Sequence, residues 1–170
     1  MTDQPPAIAV RDLRKCYGGK AAVDGLTLTV PRGCFFGFLG PNGAGKTTTI
    51  RMLMGLAPPT SGSIEILGLP MPARAVEIKR KIGVVPDESV LFDRLTGGEF
   101  LEFAGRMYGL ERRVAAERAK ELLELFELHS APRKLIAEYS KGMRKRLTMA
   151  AALIHRPEVF LMDEPFEGVD

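Results

Sequence analysis

The chain has 170 residues, of which 45% are hydrophobic and 26% charged, and this is the composition of an ordinary globular protein. Much of the net charge of +3 comes from residues 112–113 and 144–146, which is typical of solvated helix faces, so we expect no nucleic-acid partner. The two cysteines, Cys16 and Cys34, are too few for a disulfide framework, no apolar run can span a bilayer, and residues 1–6 lack a signal-peptide pattern, so we expect an intracellular protein.

The first part of the chain is predicted to form antiparallel strands that lead into a loop and a helix. Residues 8–30 alternate apolar and polar side chains, and residues 63–67 look like a further strand. The apolar run at residues 34–39 predicts a short buried strand, and residues 47–56 predict a helix. The Pro, Ser and Gly residues of 57–62 predict a loop.

A phosphate-binding loop lies between this predicted strand and helix. Every fixed position of the pattern G-x-x-x-x-G-K-[ST] is filled by Gly40, Pro41, Asn42, Gly43, Ala44, Gly45, Lys46 and Thr47. The glycines let successive N–H groups turn inward around anionic oxygens, and the helix N-terminus adds a favourable dipole. Lys46 can reach the β- and γ-phosphates, and the Thr47 hydroxyl can ligate Mg²⁺. A chance glycine-rich turn is the alternative, and the strand–loop–helix order argues against it.

The hydrophobic period becomes helical over residues 88–157. Two apolar faces, for which we expect mostly core packing, are formed by Phe100, Leu101, Phe103, Ala104, Met107 and Tyr108 and by Ala119, Leu122, Leu123 and Phe126. Ser140 is placed to cap a helix that runs to about His155.

The last apolar run ends in two adjacent carboxylates, Asp163 and Glu164. A carboxylate at the tip of a buried strand beside a phosphate loop is where a Mg²⁺ ligand belongs. The carboxylate that follows it can orient or deprotonate an attacking water.

Taken in order, these motifs resemble the ATP-binding subunit of an ABC transporter over nearly the whole chain. The resemblance implies an α/β fold with a P-loop NTPase (RecA-like) core, an antiparallel β subdomain and an inserted α-helical subdomain. It implies one domain over residues 1–170, with the β subdomain and P-loop core at about 7–70. The helical subdomain then spans about 88–157, and the Walker B strand and D-loop span 158–170.

The resemblance also implies ATP and Mg²⁺ as cofactors. Tyr17 stands where the family has an aromatic residue that stacks on adenine, although a tyrosine in isolation is more often an ordinary half-buried strand residue. Thr48 adds to the phosphate contacts, Thr47 and Asp163 ligate Mg²⁺, and Glu164 is the catalytic residue.

Residues 139–147 resemble the family's signature motif. Ser140 and Gly142 match the positions that contact the γ-phosphate bound to the opposite subunit, while Lys141 and Met143 replace a more usual Gly and Gln. This variant resembles the branch of bacterial exporters of drugs, polysaccharides or other hydrophobic cargo, and the Lys141 charge is compatible with anion binding.

Asp87 stands at the Q-loop position, where the family usually has Gln. Asp is shorter than Gln, is charged and donates no hydrogen bond when ionised. Two interpretations stay open. Asp87 either substitutes as an oxygen ligand to Mg²⁺ or alters the coupling between nucleotide and membrane partner.

The chain stops at Asp170, the D-loop position, whereas family members continue through further strands and a switch histidine. His129 and His155 both precede Glu164, so we expect neither to be that switch. In the family, the strand between the phosphate-loop strand and the Asp163 strand comes from the later region. We therefore expect the core to be incomplete at the C-terminus and ATP hydrolysis by this chain alone to be poor.

The implied partners are a transmembrane permease subunit and a second ATP-binding subunit, in a homo- or heterodimer. The protein would be cytoplasmic and peripheral on the inner face of the membrane, and Leu91, Phe92 and Tyr108 are candidates for the groove that receives the permease. The alternatives are a soluble ABC-type ATPase of translation or DNA repair and a remnant that binds nucleotide without hydrolysing it.

Overall fold

The computed structural model of the chain describes residues 4–87, 90–130 and 132–163. The chain divides into two compact units, Met1–Lys79 and Arg80–Asp170. Within the described ranges, no helix has both the length and the apolar character needed to cross a membrane.

The first unit is built on a four-stranded antiparallel sheet with the order β2-β1-β3-β4. In chain order its elements are β1 (Ile8–Tyr17), β2 (Lys20–Val30), α1 (Lys46–Leu53), β3 (Ser61–Ile66), β4 (Leu69–Met71) and α2 (Ala75–Lys79). In β3, the buried Ile64 and Ile66 alternate with the less buried Glu65, because successive strand residues point to opposite faces. The antiparallel strands predicted at residues 8–30 and 63–67 are confirmed.

The turn between β1 and β2 is a two-residue hairpin loop. Gly18 and Gly19 have φ values of +53° and +83°, the left-handed conformation that such turns need and that glycine adopts without a steric penalty. Tyr17 pairs with Lys20 directly across this turn. Tyr17 is therefore the last residue of its strand.

The strand predicted at residues 34–39 is not formed. Among the described residues these six belong to no strand, and the side chains of Phe35, Phe36 and Leu39 are 86%, 46% and 91% exposed. A strand forms only where neighbouring strands satisfy its N–H and C=O groups, and no strand in the described ranges pairs with this run. The helix predicted after the loop does form, as α1.

In the described part of the second unit, a pair of parallel strands is combined with three α-helices. In chain order its elements are β5 (Ile82–Val85), α3 (Gly97–Met107), α4 (Arg112–Leu125), a short 3-10 helix (Ile136–Glu138), α5 (Lys141–Leu153) and β6 (Val159–Met162). β5 and β6 pair in register from Ile82 with Val159 to Val85 with Met162. Parallel strands need a long crossover connection, and here the helices supply it.

The core of the second unit lies between its helices. Its fully buried side chains include Leu101 of α3, Ile136 of the 3-10 helix, Leu147 of α5, and Leu128 and Ile154. Close helix packing adds to this core, because a Cβ at Gly105 of α3 would lie 3.1 Å from Ala115 Cβ of α4.

The apolar face predicted on α3 is only partly core. Phe100 and Leu101 are buried, as expected, but Phe103, Met107 and Tyr108 are 43%, 72% and 40% exposed. One side of α3 packs on α4 and α5, so the outer part of a wide apolar stripe lies beyond those contacts. The face predicted on α4 does belong to the core. Ala119 and Leu122 are buried, and Leu123 and Phe126 pack against them and their neighbours.

Candidate functional site

The phosphate-loop residues form a tight turn that leads directly into α1. Gly43 and Gly45 have φ values of +82° and +85°, and the Ala44 N–H donates to the Pro41 carbonyl at 3.2 Å. The helix begins with the Thr49 N–H bonded to the Gly45 carbonyl at 2.8 Å, and Gly45 offers no side-chain cap. The first N–H groups of a helix lack intrahelical partners, so this uncapped end suits an anion.

The Lys46 ammonium is already held at the rim of the loop. Lys46 Nζ donates to the Gly40 carbonyl at 2.7 Å and to the Pro41 carbonyl at 3.1 Å. These two bonds hold a flexible side chain back against the loop. Less side-chain entropy is then lost when the ammonium binds a phosphate oxygen.

Gly45 lies directly against strand β2. A Cβ at this position would clash with the Ala22 carbonyl oxygen and would lie 2.9 Å from Val23 Cγ2, closer than real Cβ contacts allow. Val23 in turn pairs with Lys15 of β1, two residues before Tyr17. The sheet therefore places the end of β1 and the phosphate loop in one neighbourhood of the first unit.

The Tyr17 side chain is 52% exposed at the end of β1. The Lys15 ammonium lies 4.9 Å from the centre of the Tyr17 ring and also donates to the Pro58 carbonyl at 2.6 Å. A cation over one ring face fixes the ring orientation while the side chain stays at the surface. An exposed, oriented ring near a phosphate loop is compatible with stacking on a base, and that role stays a prediction.

In the second unit, two aspartates follow neighbouring parallel strands. Asp87 follows β5, Asp163 follows β6, and the Asp163 N–H donates to the Val85 carbonyl at 3.0 Å. The carboxyl ends of parallel strands meet at one sheet edge, where ligands bind in open α/β sheets. Asp163 is buried, with 7% exposure, whereas Asp87 is exposed. We call these two residues the acidic edge.

The acidic edge has the donor chemistry that Mg²⁺ requires. Carboxylate and hydroxyl oxygens are the hard ligands that Mg²⁺ prefers, usually one or two carboxylates together with substrate phosphates and water. Within the described ranges, no three or more His, Cys, Asp or Glu side chains form a group that could hold a metal ion. Glu164, which we predict to be catalytic, Glu88 and Asp170 lie outside the described residues.

Ser140 caps α5, as the sequence predicts. Its Oγ accepts a hydrogen bond from the Met143 N–H at 3.2 Å. Lys141 and Gly142 in the first turn are exposed, and a Cβ at Gly142 would meet nothing within 4 Å. The first turn of α5 is therefore accessible from outside the unit.

His155 has a structural role that its sequence position does not reveal. It follows the end of α5, where the sequence predicts a helix end, but its ring stacks on Tyr108 with ring centres 3.7 Å apart and planes at 4°. Its Nε2–H donates to the Ile82 carbonyl at 3.0 Å. Burial lowers the pKa of His155 below its ordinary value, although the bond to Ile82 acts in the opposite direction. No local pattern pairs residues 47 positions apart, so only the fold brings these rings together.

We expect His155 to make the protein less stable as the pH falls. The pKa of His155 is lower in the folded than in the unfolded state, so the unfolded chain binds the proton first. The stabilisation is complete above about pH 6.5 and is lost as the pH falls through the folded-state value. In urea unfolding, His155→Phe, which keeps a ring beside Tyr108, should lose less stability than the unaltered protein between about pH 7.5 and pH 5.5. Equal losses in the two proteins would contradict this role.

Comparison with known proteins decides the family. Residues 23–167 match the ABC transporter family. The chain belongs to that family. A solved ATP-binding subunit of an ABC transporter superposes with a TM-score of 0.86 at 33% identity, covering 96% of this chain and 68% of the other. The predicted P-loop NTPase fold is thereby confirmed.

Several relatives of this ABC family chain have names that refer to export or resistance. The linearmycin resistance ATP-binding protein LnrL of Bacillus subtilis is 43% identical, the Nod factor export ATP-binding protein I of Cupriavidus metallidurans 45%, and the daunorubicin resistance ATP-binding protein DrrA3 of Streptomyces coeruleorubidus 46%. Each match covers 96% of this chain but only 52%, 54% and 52% of the relative. The chain therefore spans about half the length of these curated relatives.

Proposed function

We propose that this chain is the ATP-binding part of an ABC exporter subunit that couples ATP binding and hydrolysis to transport through a separate membrane partner. The observation that carries the proposal is the phosphate loop, in which Lys46 is held at the rim and Gly45 is packed on β2. The names of the relatives favour export over a role in translation or DNA repair.

Nucleotide binding rests on the first unit. The loop N–H groups and the uncapped start of α1 bind the phosphates, and Lys46 adds a positive charge at the β- and γ-phosphates. The side chains of Thr47 and Thr48 lie in the first turn of the same helix and supply hydroxyl ligands. Tyr17 stacks on the adenine ring.

Thr47 in the first unit, and Asp87 and Asp163 in the second, are each proposed as Mg²⁺ ligands. When bound, the ion neutralises charge on the β- and γ-phosphate oxygens. Asp163 is the more firmly placed of the two aspartates, because it is buried and its N–H is bonded to β5. Asp87 is exposed, so its carboxylate can turn either toward the ion or toward a partner.

Hydrolysis in this proposal needs two subunits that close face to face. Ser140 and Gly142 of one subunit then cover the γ-phosphate bound to the other, with the accessible start of α5 directed at the charge that grows in the transition state. Glu164 orients the attacking water and accepts its proton. Loosening of the closed pair after hydrolysis moves the membrane partner.

The membrane partner docks on the second unit, where Leu91, Phe92 and Tyr108 are the candidates from the sequence. Phe103 contacts Phe92, and we call Phe92 and Phe103 the aromatic surface. Phe92 is 47% exposed, and its ring contacts Phe103 at 5.3 Å and Phe100 at 5.8 Å between centres. Exposed aromatic groups of this kind are typical of interaction surfaces. Docking there keeps the protein on the cytoplasmic face of the membrane.

Glu164→Gln in the full-length subunit tests the hydrolytic role. Because a glutamine can still orient water but cannot accept a proton, we expect hydrolysis to slow by about 100-fold or more and an ATP-bound dimer to accumulate. Glu124→Gln, which neutralises an exposed carboxylate on α4, is the control and should leave both unchanged. Continued turnover by the Glu164 variant would remove that residue from the proposed role.

Asp87→Gln separates the two interpretations of the Q-loop position. We expect this change to alter the transport rate more than the affinity for ATP, because Asp87 lies at the exposed end of β5 rather than in the phosphate loop. Transport by the reconstituted complex and ATP binding by the subunit are measured side by side. A transport rate equal to that of the unaltered complex would leave Asp87 as a plain oxygen ligand.

A further inference from the structure

Two adjacent residues in the segment before α3 contact two different parts of the second unit. Phe92 lies on the aromatic surface, where its ring packs against Phe103 of α3. The neighbouring Asp93 carboxylate pairs instead with Arg144 in the first turn of α5, with 2.8 Å between Oδ1 and Nη2. One short segment thus joins the proposed docking surface to the helix that begins at the signature motif.

Arg144 is held from two sides. Besides the ion pair with Asp93, its Nη1 donates to the Ile136 carbonyl at 2.9 Å, and its side chain is only 31% exposed. Its backbone N–H donates to the Ser140 carbonyl at 2.9 Å, the bond that closes the first turn of α5. The Arg144 guanidinium is thus partly buried and has two acceptors, although the Asp93 side chain is 59% exposed, and such a group holds its geometry better than a fully exposed ion pair.

Backbone hydrogen bonds connect the segment at Asp93 with the 3-10 helix, and together they form the support of the Arg144 side chain. The Ala137 N–H donates to the Asp93 carbonyl at 3.1 Å, and the Ile136 N–H donates to the Leu95 carbonyl at 2.8 Å. Both groups that hold the Arg144 guanidinium therefore belong to the same bonded unit. Because Phe92 and Asp93 are adjacent in the chain, this support and the ion pair connect Phe92 with α5.

We propose that Arg144 is a positioning residue for the signature segment, linking Ser140 and Gly142 through Asp93 to the docking surface at Phe92. The inference rests on the proposed function, because positioning matters only if Ser140 and Gly142 act on a nucleotide. It adds a specific pair of residues through which a docked membrane partner changes the rate of hydrolysis.

The test uses the full-length subunit assembled with its membrane partner. Asp93→Asn removes the charge of the pair and keeps the size of the side chain. Glu127→Gln is the matched control. Glu127 is 81% exposed and pairs at 3.3 Å with Arg146, which lies on α5 as Arg144 does. For each variant we would measure kcat for ATP hydrolysis, the Kd for ATP of the subunit alone, and the melting temperature.

We expect Asp93→Asn to lower kcat about fivefold or more while Kd for ATP and the melting temperature match those of Glu127→Gln. Arg144→Met should lower kcat as much, Arg144→Lys should recover part of the loss, and the double variant Asp93→Asn/Arg144→Met should be no slower than Arg144→Met alone. A change in kcat without a change in Kd distinguishes positioning from general destabilisation.

The inference is overturned if Asp93→Asn hydrolyses ATP at the unaltered rate, if Glu127→Gln is equally slow, or if the losses of the two single variants simply add. Failure of the proposed function has a different signature. In that case the unaltered complex itself would not hydrolyse ATP, and Lys46→Ala would change nothing.

Discussion

Lys46→Ala is expected to abolish ATP binding by this protein. The ammonium is held by the Gly40 and Pro41 carbonyls at 2.7 and 3.1 Å, so it is positioned before phosphate arrives. Removing a positioned charge from an anion site costs about 2–5 kcal/mol, which weakens binding roughly 30-fold or more. Titration with a fluorescent ATP analogue measures the loss directly.

Lys79→Ala is the control for this change, because it removes an equal charge from an exposed position at the end of α2. Its affinity for ATP should equal that of the unaltered protein. ATP affinity that survives in Lys46→Ala would show that the loop at residues 40–47 is not the phosphate site, and the proposed function would fail with it.

Gly45→Ala is expected to be the most damaging single methyl group that can be added to the loop. The residue has φ +85°, and the new Cβ would clash with the Ala22 backbone carbonyl, which cannot rotate away as a side chain can. The loop must then separate from β2, at a cost of about 3 kcal/mol or more in the free energy of unfolding. ATP binding should fall together with stability.

Gly43→Ala gives the matched comparison for this clash. Gly43 has nearly the same φ, +82°, but a Cβ there would meet nothing within 4 Å. Only backbone strain remains, at about 1–2 kcal/mol. Thermal unfolding of the two variants without nucleotide separates the effects, and equal melting temperatures would refute the contact between Gly45 and β2 as the cause.

The sequence predicts the elements whose partners lie nearby in the chain. The hairpin of β1 and β2 is closed by a glycine pair, and α5 starts at its serine cap, so local rules suffice for both. Local rules do not suffice for the run at residues 34–39. Its apolar character predicts a buried strand but does not indicate which strand would pair with it. Leu39 in this run is 91% exposed, although the apolar run predicts a buried strand.

Some residues of the candidate site can likewise be predicted from the local sequence, and others cannot. The phosphate-loop residues can be identified from spacing alone, because each position has a fixed chemical task. The ion pair of Asp93 with Arg144 and the stack of Tyr108 on His155 join residues 51 and 47 positions apart, and no periodicity connects them. Contacts of this kind depend on helix packing, so only the folded chain shows them.

The pairing of β5 with β6 determines where the second unit can accept changes in chain length. Each β5 residue from Ile82 to Val85 faces one β6 residue, so an inserted residue in β5 would shift Asp87 by about 3.3 Å along the strand and away from Asp163. An insertion at Gly109, in the open turn between α3 and α4, meets no such register. Homologous sequences that differ in length should therefore carry their insertions near residue 109 and keep the interval from 82 to 87 constant.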